Sequence, residues 1–163
     1  MTKLKSLTLE HLISGTLLLY VTVHLLEEGL FGFPAWANLR WGIPGYDFPK
    51  WLMHNGYFAA FLVAGYFLYR RNREKWLAAG VGIVVWGALN CLNHFVFTGL
   101  FLEYSPGLFT GFLFGLMAIL AVQRLRDAQL LTWKFALAAL GFGVLYWALP
   151  IGAFLAVDIG LGL

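Results

Sequence analysis

Charge is what this chain has least of. Of its 163 residues, 12% are Asp, Glu, Lys or Arg and 61% are hydrophobic. A soluble domain carries about 25% charged residues, so this composition excludes an ordinary water-soluble globule. Mean hydropathy is +0.77. Cysteine is nearly absent too. Cys91 stands alone, which excludes an intrachain disulfide and any metal site built on several thiolates. The net charge of +3 does not mark a nucleic-acid surface, because the basic residues sit in short connectors between apolar runs. Internal repeats and low-complexity segments are also missing.

What the chain does have is long apolar runs. They predict an all-α, polytopic membrane helix bundle of about five transmembrane helices, each near the ~20 residues that cross a hydrocarbon core. The runs cover residues 9–30, 51–69, 76–102, 107–123 and 131–157, within a single domain over residues 1–163. Closed β-barrels also span membranes, but they would need alternation rather than continuous runs. Lys3 and Lys5 precede the first run as in a signal peptide. Glu10 and His11 interrupt its start and no small-residue cleavage site follows, so it reads as a retained span.

Basic residues in the connectors set the expected orientation. With the N-terminus inside, the inner side holds Lys3, Lys5, Arg70, Arg71, Arg73, Lys75, Arg124, Arg126 and Lys134, and the outer side holds Arg40 and Lys50. The positive-inside rule then predicts a multi-pass protein of the cell membrane, N-terminus in and C-terminus out. Trp76 and Trp133 mark the inner interface; Trp36, Trp41 and Trp51 mark the outer one. The connector from Phe31 to Pro49, with Pro34 and Pro44, is expected to lie in the outer interface as a roof. Gly107, Gly111 and Gly115 form a small-residue face, suited to close helix packing within the chain or in a homodimer. Pro150 should disturb the fifth span, since it removes a helical hydrogen bond.

Against this apolar background stands His24-Leu-Leu-Glu27-Glu28. A charged group at a bilayer centre costs roughly 2.5–3.5 kcal/mol, so three ionisable groups need a metal, a proton path or a ligand. Residues three and four apart share a helical face, which sets Glu27 and Glu28 beside His24 and extends the stripe back to Tyr20 and Thr16. The predicted topology carries His54 and His94 to the same leaflet on two other helices. Helical rise puts His94 roughly 13 Å below Glu103 and His24 roughly 6 Å below Glu28, a difference that tilt must absorb. Asn90 shares a face with His94, and Asn93 adjoins it. His11 falls at the opposite end. Glu103 and Asp158 read as interfacial charges.

Imidazole and carboxylate together suit a divalent transition metal, zinc foremost, with iron or manganese as alternatives. The expected ligands are His24, Glu27, His54 and His94, with Asn90 and Tyr20 orienting them. Glu28 and Tyr104 are then the catalytic acid–base groups; either glutamate could be the ligand with the other moving protons, and Tyr104 stands at the mouth of the site, where it could hydrogen-bond a glutamate or a ligand.

The combination of His24-Leu-Leu-Glu27-Glu28, the later His94 and Tyr104-Ser105-Pro106-Gly107 resembles the HXXEE family of bacterial membrane proteins, over about residues 20 to 115. The resemblance implies that His24, Glu27, Glu28, His94 and Tyr104 act together. His54 lies outside that pattern, and no activity is implied.

The expected function is a metal-dependent enzyme, a hydrolase or oxidoreductase, acting on a lipid or other apolar small molecule near the outer leaflet of the bilayer. Two other classes fit the same residues: a proton- or ion-coupled transport or binding protein, and a metal-free acid–base isomerase. Paired broken helices of the transporter type are not seen.

Overall fold

A computed structural model describes residues 8–43 and 45–161, with side chains as far as Asp158. Lys3, Lys5 and Pro44 lie outside the described residues. The described chain is all helical: α1 Leu9–Leu30, α2 Phe33–Trp41, α3 Phe48–Arg71, α4 Leu77–Phe101, α5 Leu108–Asp127 and α6 Trp133–Leu161. Four segments are long and apolar enough to cross a membrane: Leu9–Leu30, Leu77–Phe101, Leu108–Asp127 and Trp133–Asp158. At 24 residues α3 has the length as well, but it carries Lys50, His54, Asn55, Arg70 and Arg71. The predicted run at 51–69 thus exists as a helix of lower hydropathy than the other four.

Local chemistry explains the boundaries. Thr8 opens α1 with a capping box, its hydroxyl accepting from the His11 amide at 3.3 Å while His11 Nδ1 accepts from the Thr8 amide. Asp47 caps α3 through the Lys50 amide at 3.0 Å, with Pro49 in the first turn. The connector from Phe31 to Pro49 is not simply a loop. Gly32 turns left-handed (φ +72°) and Pro34 starts α2, which Gly42 (φ +62°) ends. Pro150 is buried inside α6, and the helix runs through it.

α4 is the central helix, packed on α6, α5, α3 and α1. Its glycines permit the close approaches. A Cβ on Gly82 would lie 2.5 Å from Phe142 Cβ, and one on Gly80 would lie 2.8 Å from the Tyr69 ring. Leu12, Ile13, Leu62, Ile83, Trp86 and Phe114 fill the interior. The outer faces stay apolar: Leu18, Leu26, Phe67 and Phe109 are each at least 60% exposed. In water such a surface would aggregate; against lipid tails it is matched. The Gly107/Gly111/Gly115 face meets α4 of the same chain, with a Gly111 Cβ 3.5 Å from Cys91 Cα and a Gly115 Cβ 2.9 Å from Cys91 Sγ.

Polar groups gather at the two ends. At one end Glu10 of α1 pairs with Arg70 at 2.9 Å and Arg73 at 2.7 Å. At the other, Arg40 of α2 holds Glu103, with the guanidinium Nε 2.6 Å from Oε1, and Lys50 pairs with Asp158 at 3.0 Å. The expected interfacial charges Glu103 and Asp158 therefore tie the roof and α3 to the bundle.

Candidate metal centre

The site begins with a distortion in α1. Residues Tyr20–His24 wind as a π-turn before α-helical geometry resumes at Leu25. A π-turn inserts a residue and shifts the phase of everything after it. His24 is 1% exposed, Glu27 8% and Glu28 5%, although they follow a stretch in which Val21, Thr22 and Val23 face outward.

Beyond the turn the adjacent glutamates diverge. Glu28 points with His24 into the bundle. Its Oε1 lies 3.4 Å from His24 Nε2 and 3.6 Å from His94 Nε2, and its Oε2 accepts from Trp51 Nε1 at 3.0 Å. His24, Glu28 and His94 are all buried and present ligand atoms within 4.8 Å of one another. The depth difference expected from sequence is absorbed, since the two imidazole rings stand 5.3 Å apart, edge to face.

Glu27 turns the other way, toward the start of α5. Gly107 opens that helix at φ +99° and has no side chain to cap it. Glu27 supplies the missing acceptor from another helix. Its Oε1 takes the amides of Gly107 (3.2 Å) and Phe109 (3.0 Å), and its Oε2 takes the Thr110 amide (2.8 Å) and hydroxyl (2.5 Å). Tyr104 adds its phenol O–H to Oε1. A carboxylate at a helix N-terminus meets orphan amides and the positive end of the dipole together. The Tyr104 phenol is held well above its usual range by burial and by its bond to Glu27, so it stays a donor.

Proton counting then places one proton. Thr110 Oγ1 has one hydrogen, given to Glu27, and lies 2.6 Å from His24 Nδ1. It must accept there, so His24 carries a proton on Nδ1, and Nε2 is the nitrogen turned toward Glu28. His94 is also held through Nδ1, 3.0 Å from Ser105 Oγ, a hydroxyl that can donate or accept. Gly107 is required by both rings. A Cβ there would lie 2.5 Å from His94 Cε1 and 2.9 Å from His24 Cε1.

The expected residues thus sort into two groups. His24, Glu28 and His94 come together. Glu27 has both oxygens engaged, by the start of α5 and by Tyr104, and of the two glutamates it is Glu28 that joins the histidines. Tyr104, expected to hydrogen-bond a glutamate or a ligand, donates to Glu27; it is 41% exposed and lines a second cavity together with Glu27 and Thr110. His54 is outside the cluster; its Nδ1 lies 3.0 Å from the Tyr46 hydroxyl, and its ring stacks on Phe154 at 4.6 Å. Tyr20 donates to Asn55 Oδ1 at 2.7 Å rather than to His24. Sequence reasoning missed Thr110, Ser105 and Trp51. Ser105 sits inside Tyr-Ser-Pro-Gly and was within reach; Thr110 and Trp51 carry no local mark.

Glu28, His24 and His94 form part of the wall of a chamber of about 450 Å³ inside the bundle, within the usual ~300–1,000 Å³ of small-molecule sites. Its other walls are mostly aromatic and aliphatic, including Phe33 and Trp41 from the roof helix, Phe58, Trp86, Phe97, Trp147 and Phe154. His54 and Asn90 line it as well.

A family described as proteins of unknown function with an HXXEE motif matches residues 16–122, which is 107 of the 163 residues. The chain belongs to the HXXEE family. No curated protein and no solved structure matches it. For this HXXEE protein the motif now has physical content. The histidine and the second glutamate face the chamber, while the first glutamate holds the Tyr-x-Pro-Gly turn and the start of α5.

Proposed function

We propose that this chain is a metal-dependent membrane enzyme acting on a lipid or other apolar small molecule. His24, Glu28 and His94 would hold the ion. The observation carrying this reading is the convergence of three buried ligand atoms on the wall of an apolar chamber, with each Nδ1 already committed elsewhere. Ligating histidines typically donate through one nitrogen and coordinate through the other.

The separations fit a metal better than direct bonds. N–H···O bonds run about 2.7–3.2 Å, shorter than the 3.4 and 3.6 Å found. Zinc bonds of about 2.0–2.1 Å at tetrahedral angles set neighbouring ligand atoms roughly 3.3–3.4 Å apart. Among the described residues Glu28 has no Lys or Arg partner, and a buried carboxylate needs compensating charge. Two imidazoles and a carboxylate suit zinc first, then iron or manganese.

A bound ion of this kind supplies Lewis acidity, polarising a carbonyl or lowering the pKa of water. The protein does the rest. Thr110 and Ser105 fix the two rings, Trp51 fixes Glu28, and the aromatic walls exclude bulk water. His54, across the same chamber, is the group placed to move a proton to or from a substrate. We also propose five spans, α3 included, with the N-terminus inside and the site near the outer leaflet. The distribution of Lys and Arg supports that orientation.

Elemental analysis of protein purified under metal-replete conditions tests the reading. We expect about one transition metal per chain, lost in His24→Ala, His94→Ala and Glu28→Gln and kept in His54→Ala. Well-folded, metal-free wild type would overturn it. Metal-free acid–base chemistry is a second reading, favoured by Glu28 and His54 lining one chamber; activity that survives chelation would select it.

A further inference from the structure

The chamber is not closed all round. Its α1 residues, Tyr20, His24 and Glu28, are all buried. Phe33 and Tyr46 cover the roof end and are buried as well. The two most exposed lining residues are Leu155 of α6, at 48%, and Ile43 of the roof connector, at 39%. Ile151 shares a helical face with Leu155, and Asn93 shares one with Phe97 on α4. These three are half-buried. The opening therefore lies between α4 and α6, beneath the roof.

Packing explains the gap. Away from the roof the two helices touch: a Cβ on Gly143 would lie 2.4 Å from Val85 Cγ1. Beyond Tyr146 they take different partners. On α6, Trp147 meets Phe58 of α3 at 5.7 Å, and Phe154 meets His54 of α3 at 4.6 Å and Tyr46 at 6.2 Å. On α4, Phe97 meets Trp36 and Trp41 of the roof at 5.6 and 5.1 Å. The chamber occupies the wedge between. α5 does not cover it: no α5 residue lines the chamber, and α5 packs on the Cys91 side of α4. Cys91 and Asn93 point about 200° apart around that helix.

The rim is apolar apart from Asn93, and no Lys, Arg or Asp lines the chamber among the described residues. It continues into the exposed faces of α4 and α6, where Leu92, Phe95 and Leu149 stand outward. Both helices are long and apolar enough to cross a membrane, so hydrocarbon is what lies against such a rim. We propose that the gap between α4 and α6 is a lateral portal through which an acyl chain of a bilayer lipid enters the chamber. This deepens the enzyme reading above and rests on it for what the chain meets at His24, Glu28 and His94. The size fits partial entry. About 450 Å³ is toward the lower end of the ~300–1,000 Å³ of small-molecule sites. One chain, or part of one, enters while the headgroup and any second chain stay in the bilayer.

Photolabelling of the full-length protein in phosphatidylcholine vesicles tests this. The probe is a phosphatidylcholine with a diazirine in one acyl chain. A free apolar aryl diazirine and a charged, water-soluble diazirine are compared with it, and labelled residues are read by mass spectrometry. Leu92, exposed on α4, reports ordinary lipid contact. Asn90 of the same helix and Phe58 of α3, 8% and 7% exposed, report the chamber. We expect the lipid probe to label all three residues and the charged probe to label none. Leu155→Trp sets an indole in the portal and should abolish labelling of Asn90 and Phe58 with Leu92 unchanged. Ile151→Trp is the second plug should Leu155→Trp fail to fold. Leu18→Trp, at an exposed position off the chamber, should change nothing. Lipid-probe labelling of Leu92 alone would overturn the proposal. So would chamber labelling by the charged or the free probe but not by the lipid, or lipid labelling unchanged in a folded plug variant. The same experiment on chelator-treated protein separates the two ideas. Chamber labelling of a protein that never holds metal keeps the portal while the metal reading fails, and bound metal with an unlabelled chamber does the reverse.

Discussion

Two glutamates adjacent in sequence do different work because successive residues on a helix point about 100° apart. Glu28 faces the chamber and Glu27 faces α5. Between them Thr110 is the hinge of the hydrogen bonding, since one hydroxyl serves both His24 and Glu27. Thr110→Val removes that hydroxyl at nearly constant volume. It leaves the His24 Nδ1 proton without an acceptor and should weaken metal binding roughly 10–100-fold, read by competition with a chromophoric chelator. Helical content by circular dichroism should not change, and Thr110→Ser should restore affinity. A purely structural role for Thr110 would lower melting temperature without moving the metal affinity.

At the scale of elements, the start of α5 is the junction on which the site depends. Gly107, the residue just before it, has φ +99° and sits under two imidazoles. Gly107→Ala adds a methyl where there is no room and holds an L-residue in an unfavourable backbone region, at a cost on the order of 1–3 kcal/mol for the backbone alone. The expected outcome is a lower melting temperature together with lost metal. Gly99, whose added Cβ would touch nothing within 4 Å, should tolerate alanine and serves as the control. The helices themselves were legible in the sequence, because apolar runs and charged connectors are local signals. Their predicted limits differ from those found by a few residues, through caps such as Asp47 and Gly107. His24, Glu28 and His94 were legible as polar residues without business in a membrane. Which of Glu27 and Glu28 faces the chamber was not, because the π-turn at Tyr20–His24 shifts the phase of both together and leaves no mark in composition. Nor was α2, a nine-residue helix with Pro34 in its first turn and little periodicity.

Over the whole molecule, stability against pH should carry a signature from the end that holds the roof. The Arg40 guanidinium beside Glu103 holds that carboxyl below its ordinary 4.5. A group with a depressed folded value stabilises the fold above its unfolded value, and that contribution is lost as pH falls through the folded value. Wild type should therefore lose a melting-temperature advantage over Glu103→Gln as pH drops below 4.5, while the gap stays constant from pH 6 to 8. A gap that persisted in acid would remove the pair from the account of stability.

The cap on α5 also has a consequence for how the protein is made. Glu27 and the Thr110 amide that donates to it are 83 residues apart, and a chain is synthesised from its N-terminus. Glu27 is inside the first helix long before the turn at Tyr104 exists. During that interval it has none of the five donors that later surround it, so it must be carried neutral or held at the lipid headgroups. The arrival of α5 releases it from that state and, through Thr110, orients His24 in the same step. Docking of α5 and orientation of His24 are thus one event in biogenesis, and a nascent chain released before α5 would carry the full motif with no site.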